Sequence, residues 1–349
     1  MSRALDIETI AALKIDGPKS VYDSLVEALS TRTEGLLEIE FLGKSHPLPP
    51  GCNVLVDGKN VAVPKSKLVQ AFVVARRVLF TYVRNCPEDK EDELRDATTI
   101  ILLMDPEHLT AANTRKRLIQ KHQSCSKSQF QAILRHEMHF VDSYLTSRLH
   151  RHTKSPTLWG HRRWILETSK SAQMGCDIQE TVESVILVAA ERHPRNYYAW
   201  SHLRWLVEAF DDILCLEALS GHPPAVEHAE TIFIVKDWCL RHPADTSGCS
   251  FLLFCLLLKA SRDSRSTSER SAQRSTICKE ALGRAVSFKW THESVWVFLR
   301  TLVAAEGSVE GDVTEFQEAV RKILDCCSEG QAATVKAARD WFTKYRHEN

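Results

Sequence analysis

The chain has 349 residues with 44% hydrophobic and 26% charged positions, ordinary values for a globular protein and too apolar for a disordered one. Its 45 Lys/Arg and 45 Asp/Glu cancel, so any electrostatic role must come from local clusters. Eleven cysteines lie scattered without a Cys-x-x-Cys pair, the first residues lack the apolar stretch of a signal peptide, and the longest apolar run, Phe251 to Leu258, is under half a membrane span; the reduced cytoplasm is therefore the expected compartment.

In chain order, segment 36–64 departs from helical patterning. Leu37 to Phe41 alternates apolar and acidic residues, and Val54 to Val56 with Val61 to Val63 flank Asp57-Gly58, a tight-turn signal, so a short β-hairpin excursion is expected. Helices are expected at about 65–85 and 126–150. Ile178, Val182, Val185, Ile186 and Ala189 then form a helical stripe, with Asp177 as N-cap and Pro194 beyond its end. Further helices are expected at 225–241, 270–288, 312–327 and 331–346, while residues 261–274, with five serines, read as a mobile loop.

An internal repeat organises the middle of the chain. Trp159-Gly160-His161-Arg162-Arg163-Trp164 and Trp200-Ser201-His202-Leu203-Arg204-Trp205 lie 41 residues apart and match at four of six positions. Counting six residues from Pro106, Pro194 and Pro243 lands on Ala112, Trp200 and Cys249, which share a slot with Trp159 and Trp296. The slot spacings of 47, 41, 49 and 47 suit two helices and two turns per repeat. On this reading Trp159, Trp164, Trp200, Trp205 and Trp296 mark packing register. His161, Arg162, Arg163 and His202 fit a core less well, because polar groups without partners are costly there.

Charge is segregated despite the zero total. Residues 113–163 carry eleven Lys/Arg and six His against two acids, Glu137 and Asp142, whereas residues 205–235 carry six acids and no Lys or Arg. The basic stretch suits a compact phosphate or diphosphate held by one Lys and a few His or Arg donors at helix starts. No nucleic-acid-binding motif accompanies it. His136-Glu137-Met138-His139 resembles a metal motif, but its histidines stand at i, i+3 without a third ligand, so they read as structural or solvated and no metal set is assigned. Phosphate-binding Gly-rich loops and nucleophile elbows are absent too, so the chain shows no self-contained catalytic constellation.

The stretch Asn196-Tyr197-Tyr198-Ala199-Trp200-Ser201-His202-Leu203-Arg204-Trp205, preceded by Pro194, resembles the repeat of protein prenyltransferase α subunits. His292-Glu293-Ser294-Val295-Trp296 is similar to that family's late repeat, and Leu109 to Lys116 looks like its first repeat with the Trp replaced. The resemblance covers roughly residues 100–305 and implies an all-α fold, a right-handed α-α superhelix of helical hairpins spanning 100–349. Its cassettes fall near 106–119, 153–167, 194–207, 243–257 and 290–303, after an N-terminal region 1–100 with the hairpin. The family implies a non-autonomous enzyme subunit. A β subunit, by resemblance one of the Rab geranylgeranyltransferase type, would hold zinc and the isoprenoid pocket and deliver geranylgeranyl rather than farnesyl to an acceptor's C-terminal cysteine. Lys154, five residues before Trp159, matches the lysine that faces the diphosphate. His161, Arg162, Arg163, Tyr197, Tyr198, His202 and Arg204 are the further candidates for facing diphosphate or partner. Three departures stand out: Pro156 where the family usually has Tyr, Tyr198 where farnesyltransferase-type subunits have His, and Cys249 in place of the fourth Trp. Degeneration of the first and fourth cassettes favours the alternative, a non-catalytic helical-repeat scaffold that binds a partner protein.

Overall fold

The computed structural model describes residues 17–30, 35–43, 46, 48–209, 225–258, 264–306 and 308–346, without the side chains of 225–230, 264–267 and 269. It is an all-α helical-repeat architecture with one small sheet near the N-terminus. Two compact units divide it, Met1–His202 and Leu203–Asn349.

In the first unit, α1 (Pro18–Ser30) buries Val21, Tyr22, Leu25 and Ala28, one stripe of its surface. The expected β excursion follows as β1 (Glu38–Leu42), β2 (Leu55–Asp57) and β3 (Asn60–Pro64), in the order β1-β3-β2. β2 and β3 form the hairpin around Gly58, whose φ of +56° suits glycine at a tight turn. β1 pairs with β3 in parallel, opposing Ile39 to Val61, an arrangement the alternation alone did not specify. The sheet is pinned to the helices. Leu37 N–H donates to Ser143 Oγ at 3.0 Å, Arg148 N–H to the Ile39 carbonyl at 3.2 Å, and Arg192 Nη2 grips both oxygens of Glu38 at 2.6 and 2.7 Å.

The unit continues with α2 (Lys65–Tyr82), α3 (Glu91–Met104), α4 (Leu109–Lys121), α5 (Lys127–Leu145), the short α6 (His150–Thr153) and α7 (Pro156–Ser171). Next comes α8, an α-helical Ile178–Thr181, a π turn Val182–Ile186 and an α-helical Leu187–Arg192. Asp177 caps it as expected, accepting from Glu180 N–H at 2.9 Å, but the π turn interrupts the regular helix that the stripe predicted. α9 (Tyr197–Ala209) crosses into the second unit, which contains α10 (Ala225–Arg241), α11 (Thr246–Leu257), α12 (Ser264–Ser287), α13 (Glu293–Ala304), α14 (Glu310–Cys326) and α15 (Glu329–Tyr345). The Ser/Arg-rich stretch expected to be a mobile loop is helical from Ser264 onward. It leads into the stripe Ile277, Cys278, Ala281, Leu282 and Ala285, all buried, which gives its helix a core face to pack with. Trp296 is buried against Phe316, ring centroids 6.0 Å apart, and Phe316 against Phe342 at 5.2 Å.

The slot register is directly visible. Helices α4, α7, α9, α11 and α13 begin at Leu109, Pro156, Tyr197, Thr246 and Glu293, each three residues before its slot residue, and all five slot residues are buried. The residue preceding each start is the N-cap, and in four of the five its side chain closes the helix. His108, Ser155, Asn196 and Asp245 accept from the N–H three residues on, at 3.2, 3.1, 3.3 and 2.8 Å. Among the described residues no helix is long and apolar enough to cross a membrane.

Candidate functional site

Helix α5 carries the polar interior of the first unit. Ser126 and Gln129 start it with a reciprocal capping box, and from its middle it sends Glu137 and Asp142 into the core. Arg115 on α4 grips Glu137 with Nε and Nη2, both at 2.7 Å, while its Nη1 donates to Thr99 Oγ1, Thr98 Oγ1 and the Arg95 carbonyl at 2.8, 3.1 and 3.0 Å. The guanidinium also lies 3.7 Å over the Phe140 ring. From α7, His161 Nε2 donates to Glu137 Oε1 at 2.6 Å. Burial alone would raise the Glu137 carboxyl, but Arg115 and His161 outweigh it and hold the group below the usual carboxylate range.

One turn along α5, Asp142 accepts from Arg162 Nε and Nη2 at 2.7 and 3.4 Å, and Arg162 Nη1 donates to His202 Nε2 at 2.9 Å. Arg115 and Arg162 hold equivalent places, three residues after Ala112 and Trp159, so each repeat inserts one arginine beside α5. The third repeat ends the series: Leu203 takes that place and arginine moves to Arg204. Arg204 is exposed, 3.3 Å from Glu208, and lies 4.0 Å over Phe254.

These contacts correct the placement of three candidates. His161, Arg162 and His202 are interior rather than surface residues: Glu137 accepts from His161 Nε2, Asp142 accepts from Arg162, and Arg162 donates to His202, while His161 Nδ1 stays without a hydrogen-bond partner among the described residues. Burial of both acids with two arginines has a second effect. Residues 113–163 keep nine Lys/Arg outside the core and no acid, although Lys121, Arg151 and Arg163 pair with Glu91, Asp105 and Glu167 from elsewhere. On the acidic side, Asp211, Asp212 and Glu217 lie outside the described residues, as do the side chains of Glu227 and Glu230.

Three of the remaining candidates, Lys154, Tyr197 and Tyr198, lie at or just before helix starts. Lys154 is the exposed C-cap of α6, directly after Thr153. The Thr153 carbonyl accepts from Trp159 Nε1 at 2.9 Å and from Asn196 Nδ2 at 2.8 Å. Asn196 in turn precedes Tyr197 and Tyr198, which are 67% and 38% exposed with their rings in edge contact at 5.7 Å. One carbonyl therefore joins the turn that presents Lys154 to the turn that presents the two tyrosines. Arg163 is exposed and paired with Glu167 at 3.0 Å, away from this junction in its helix. Trp159, Trp200 and Trp296 are buried, whereas Trp164 and Trp205 are half-buried. Trp164 lies beneath Lys116 Nζ at 5.7 Å and stacks on His161 at 6.0 Å.

Sequence reasoning missed Arg115, Glu137 and Asp142 as a unit and gave Asn196 no role. The available signals were the shared place of Arg115 and Arg162, the isolation of two acids in a basic stretch, and an Asn at the residue before a helix start. Among the described residues no group of three His, Cys, Asp or Glu could hold a metal ion.

Comparison with known proteins places this geometry. The family "Protein prenyltransferase alpha subunit repeat" matches residues 184–210, the end of α8 and all of α9, which includes Asn196, both tyrosines, Trp200 and His202 but stops short of Lys154. A zebrafish (Danio rerio) protein named "Protein prenyltransferase alpha subunit repeat-containing protein 1" is 34% identical over 96 residues, a stretch covering 27% of this chain and 20% of that relative. The alignment thus spans about a fifth of the relative's length. Residues 184–210, which contain the third cassette, are thus similar to the repeat of protein prenyltransferase alpha subunits.

Proposed function

We propose that the chain is the α subunit of a heterodimeric cytoplasmic protein prenyltransferase. In this reading a β subunit of the Rab geranylgeranyltransferase type holds the zinc and the isoprenoid pocket, and the pair transfers geranylgeranyl from its diphosphate to a C-terminal cysteine. The observation that carries the reading is the Thr153 junction, where Asn196 and Trp159 fix the backbone beside Lys154 next to the exposed tyrosines. Lys154 would stabilise charge on the departing diphosphate, with Tyr197 and Tyr198 as hydroxyl donors, while zinc on the partner supplies a thiolate. The rim suits partner docking. Leu109, Pro156 and Tyr197, the first residues of α4, α7 and α9, are all exposed, and Leu109 and Tyr197 leave large apolar groups in solvent.

The test is co-expression with candidate β subunits, isolation of a 1:1 complex, and measurement of lipid transfer to proteins ending in cysteine. A complex that transfers lipid supports the reading, and a complex inert toward every acceptor and both lipid lengths refutes it. One observation favours the second reading, a scaffold without catalysis: three of the candidate donors are consumed in the core, leaving a sparse set around Lys154. The inert complex is the outcome that reading expects.

A further inference from the structure

A cavity of about 330 Å³ lies in the first unit, away from the Lys154 junction, where α1 and the approach to β1 cross α3 and α5. Its size stands at the lower end for small-molecule sites. The floor is apolar: Val26 and Leu29 from α1, Leu37, and Phe140 from α5. Several polar groups at its edge are committed to the protein. Tyr144 donates its hydroxyl to the Thr99 carbonyl at 2.9 Å, Ser143 accepts from Leu37 N–H at 3.0 Å, and Arg115 is neutralised by Glu137.

The mouth carries a further cation, Arg135. Arg135, His136 and His139 line it from successive turns of α5, and Arg135 is exposed with no carboxylate pairing to it among the described residues. His139 Nε2 donates to the Gly35 carbonyl at 3.0 Å, which orients its ring at the cavity. Asp96 on α3 lines the same space and is half-buried; burial pushes its carboxyl up. A carboxylate there repels negative charge on any occupant, a doubly charged group more than a singly charged one.

We propose that this cavity binds a small amphiphilic monoanion, a carboxylate whose unbranched or aromatic body fills the apolar floor and whose charge meets Arg135 at the mouth, beside His136 and His139. The site is independent of the transferase reading, because it uses none of the residues at the Thr153 junction.

The test uses the full chain with octanoate as probe, and octanol and octyl phosphate as controls, titrated by calorimetry. Octanoate binds saturably at one site, octanol binds more weakly for lack of the charge, and octyl phosphate binds more weakly because its second charge meets Asp96. Two substitutions at exposed positions of α5 locate the site, with thermal melts to verify folding. Arg135→Ala weakens octanoate about tenfold, the size of one charge-assisted contact, and leaves octanol unchanged. Ala132→Trp fills the cavity and abolishes octanoate binding. Absence of saturable octanoate binding, equal binding by octyl phosphate, or Ala132→Trp or Arg135→Ala variants that fold and bind like the parent would each overturn the proposal.

Discussion

Arg162 Nη1 donates to His202 Nε2 at 2.9 Å, and because a guanidinium has no acceptor atom, that ring nitrogen must be bare. His202 is therefore neutral with its proton on Nδ1, and burial, then Arg162 and Arg163, lower its pKa well below the ordinary value. His161 is also neutral: burial lowers it, and its Nδ1 has no partner among the described residues that would accept a second proton. His152 donates Nε2–H to the Leu102 and Leu103 carbonyls, and burial lowers it from 6.5 to about 4.

All three rings gain protons more readily in the unfolded chain than in the fold. Their full contribution to stability is present above pH 6.5 and is lost as pH falls from there toward the folded values, about 4 for His152. In that window each ring costs about 1.4 kcal/mol per pH unit. Below 4.5, protonation of Glu137 in the unfolded chain adds to the loss. Urea midpoints measured from about pH 8 down to about pH 5 will fall steeply in the acid half. A flat profile would remove the assignment of neutral histidines.

Glu137→Gln leaves Arg115 buried without a countercharge and is expected to cost about 3–5 kcal/mol. Thermal melts measure the loss. The double variant Arg115→Met/Glu137→Leu should be less harmful than the sum of its single substitutions, since it removes both charges together. Strict additivity in that cycle would mean that the pair is not coupled.

Asn196→Ala removes an N-cap and the bond to the Thr153 carbonyl, for an expected loss of about 2 kcal/mol. Asn196→Asp retains the cap but loses the donor. It should fall between Ala and the parent in a denaturant titration, and a variant as stable as the parent would show that the Thr153 bond contributes nothing.

Lys154→Ala separates packing from chemistry. As an exposed residue it should shift stability by less than about 0.5 kcal/mol. Within a transferring complex, the same change is expected to lower the rate about a hundredfold, the scale for removing one donor to developing charge. A complex that forms normally and transfers at the parental rate would exclude Lys154 from the reaction.

The parts of the fold legible in sequence are those set by local rules. Counting from Pro106, Pro194 and Pro243 located the buried slot residues Ala112, Trp200 and Cys249, and Asp57-Gly58 located the hairpin, because turn and cap chemistry act over a few positions. The π turn in α8 and the parallel β1 were not legible. The place of β1 depends on partners far along the chain, such as Glu38 held by Arg192 across 154 positions, and no residue pattern in α8 marks its π turn. The site divided the same way. Lys154 and Tyr197 are exposed near helix starts, as the cassettes implied, whereas His161 and Arg162 point inward because Glu137 and Asp142, on a different helix, make burial tolerable. Composition counted those acids without showing what they faced.

Trp159 and Trp296 each donate Nε1 to the carbonyl six residues earlier, at 2.9 and 2.8 Å, although the stretches separating successive slots range from 41 to 49 residues. Length differences are thus discharged in the return helices and connecting turns, while the stretch from carbonyl to indole stays fixed. Insertions after Ser171 should be tolerated by this scaffold, whereas a single residue added between Thr153 and Trp159 would break its gauge. The residue opening each such helix, Leu109, Pro156, Tyr197, Thr246 or Glu293, is correspondingly free to vary, which lets one backbone present a different surface chemistry at every hairpin.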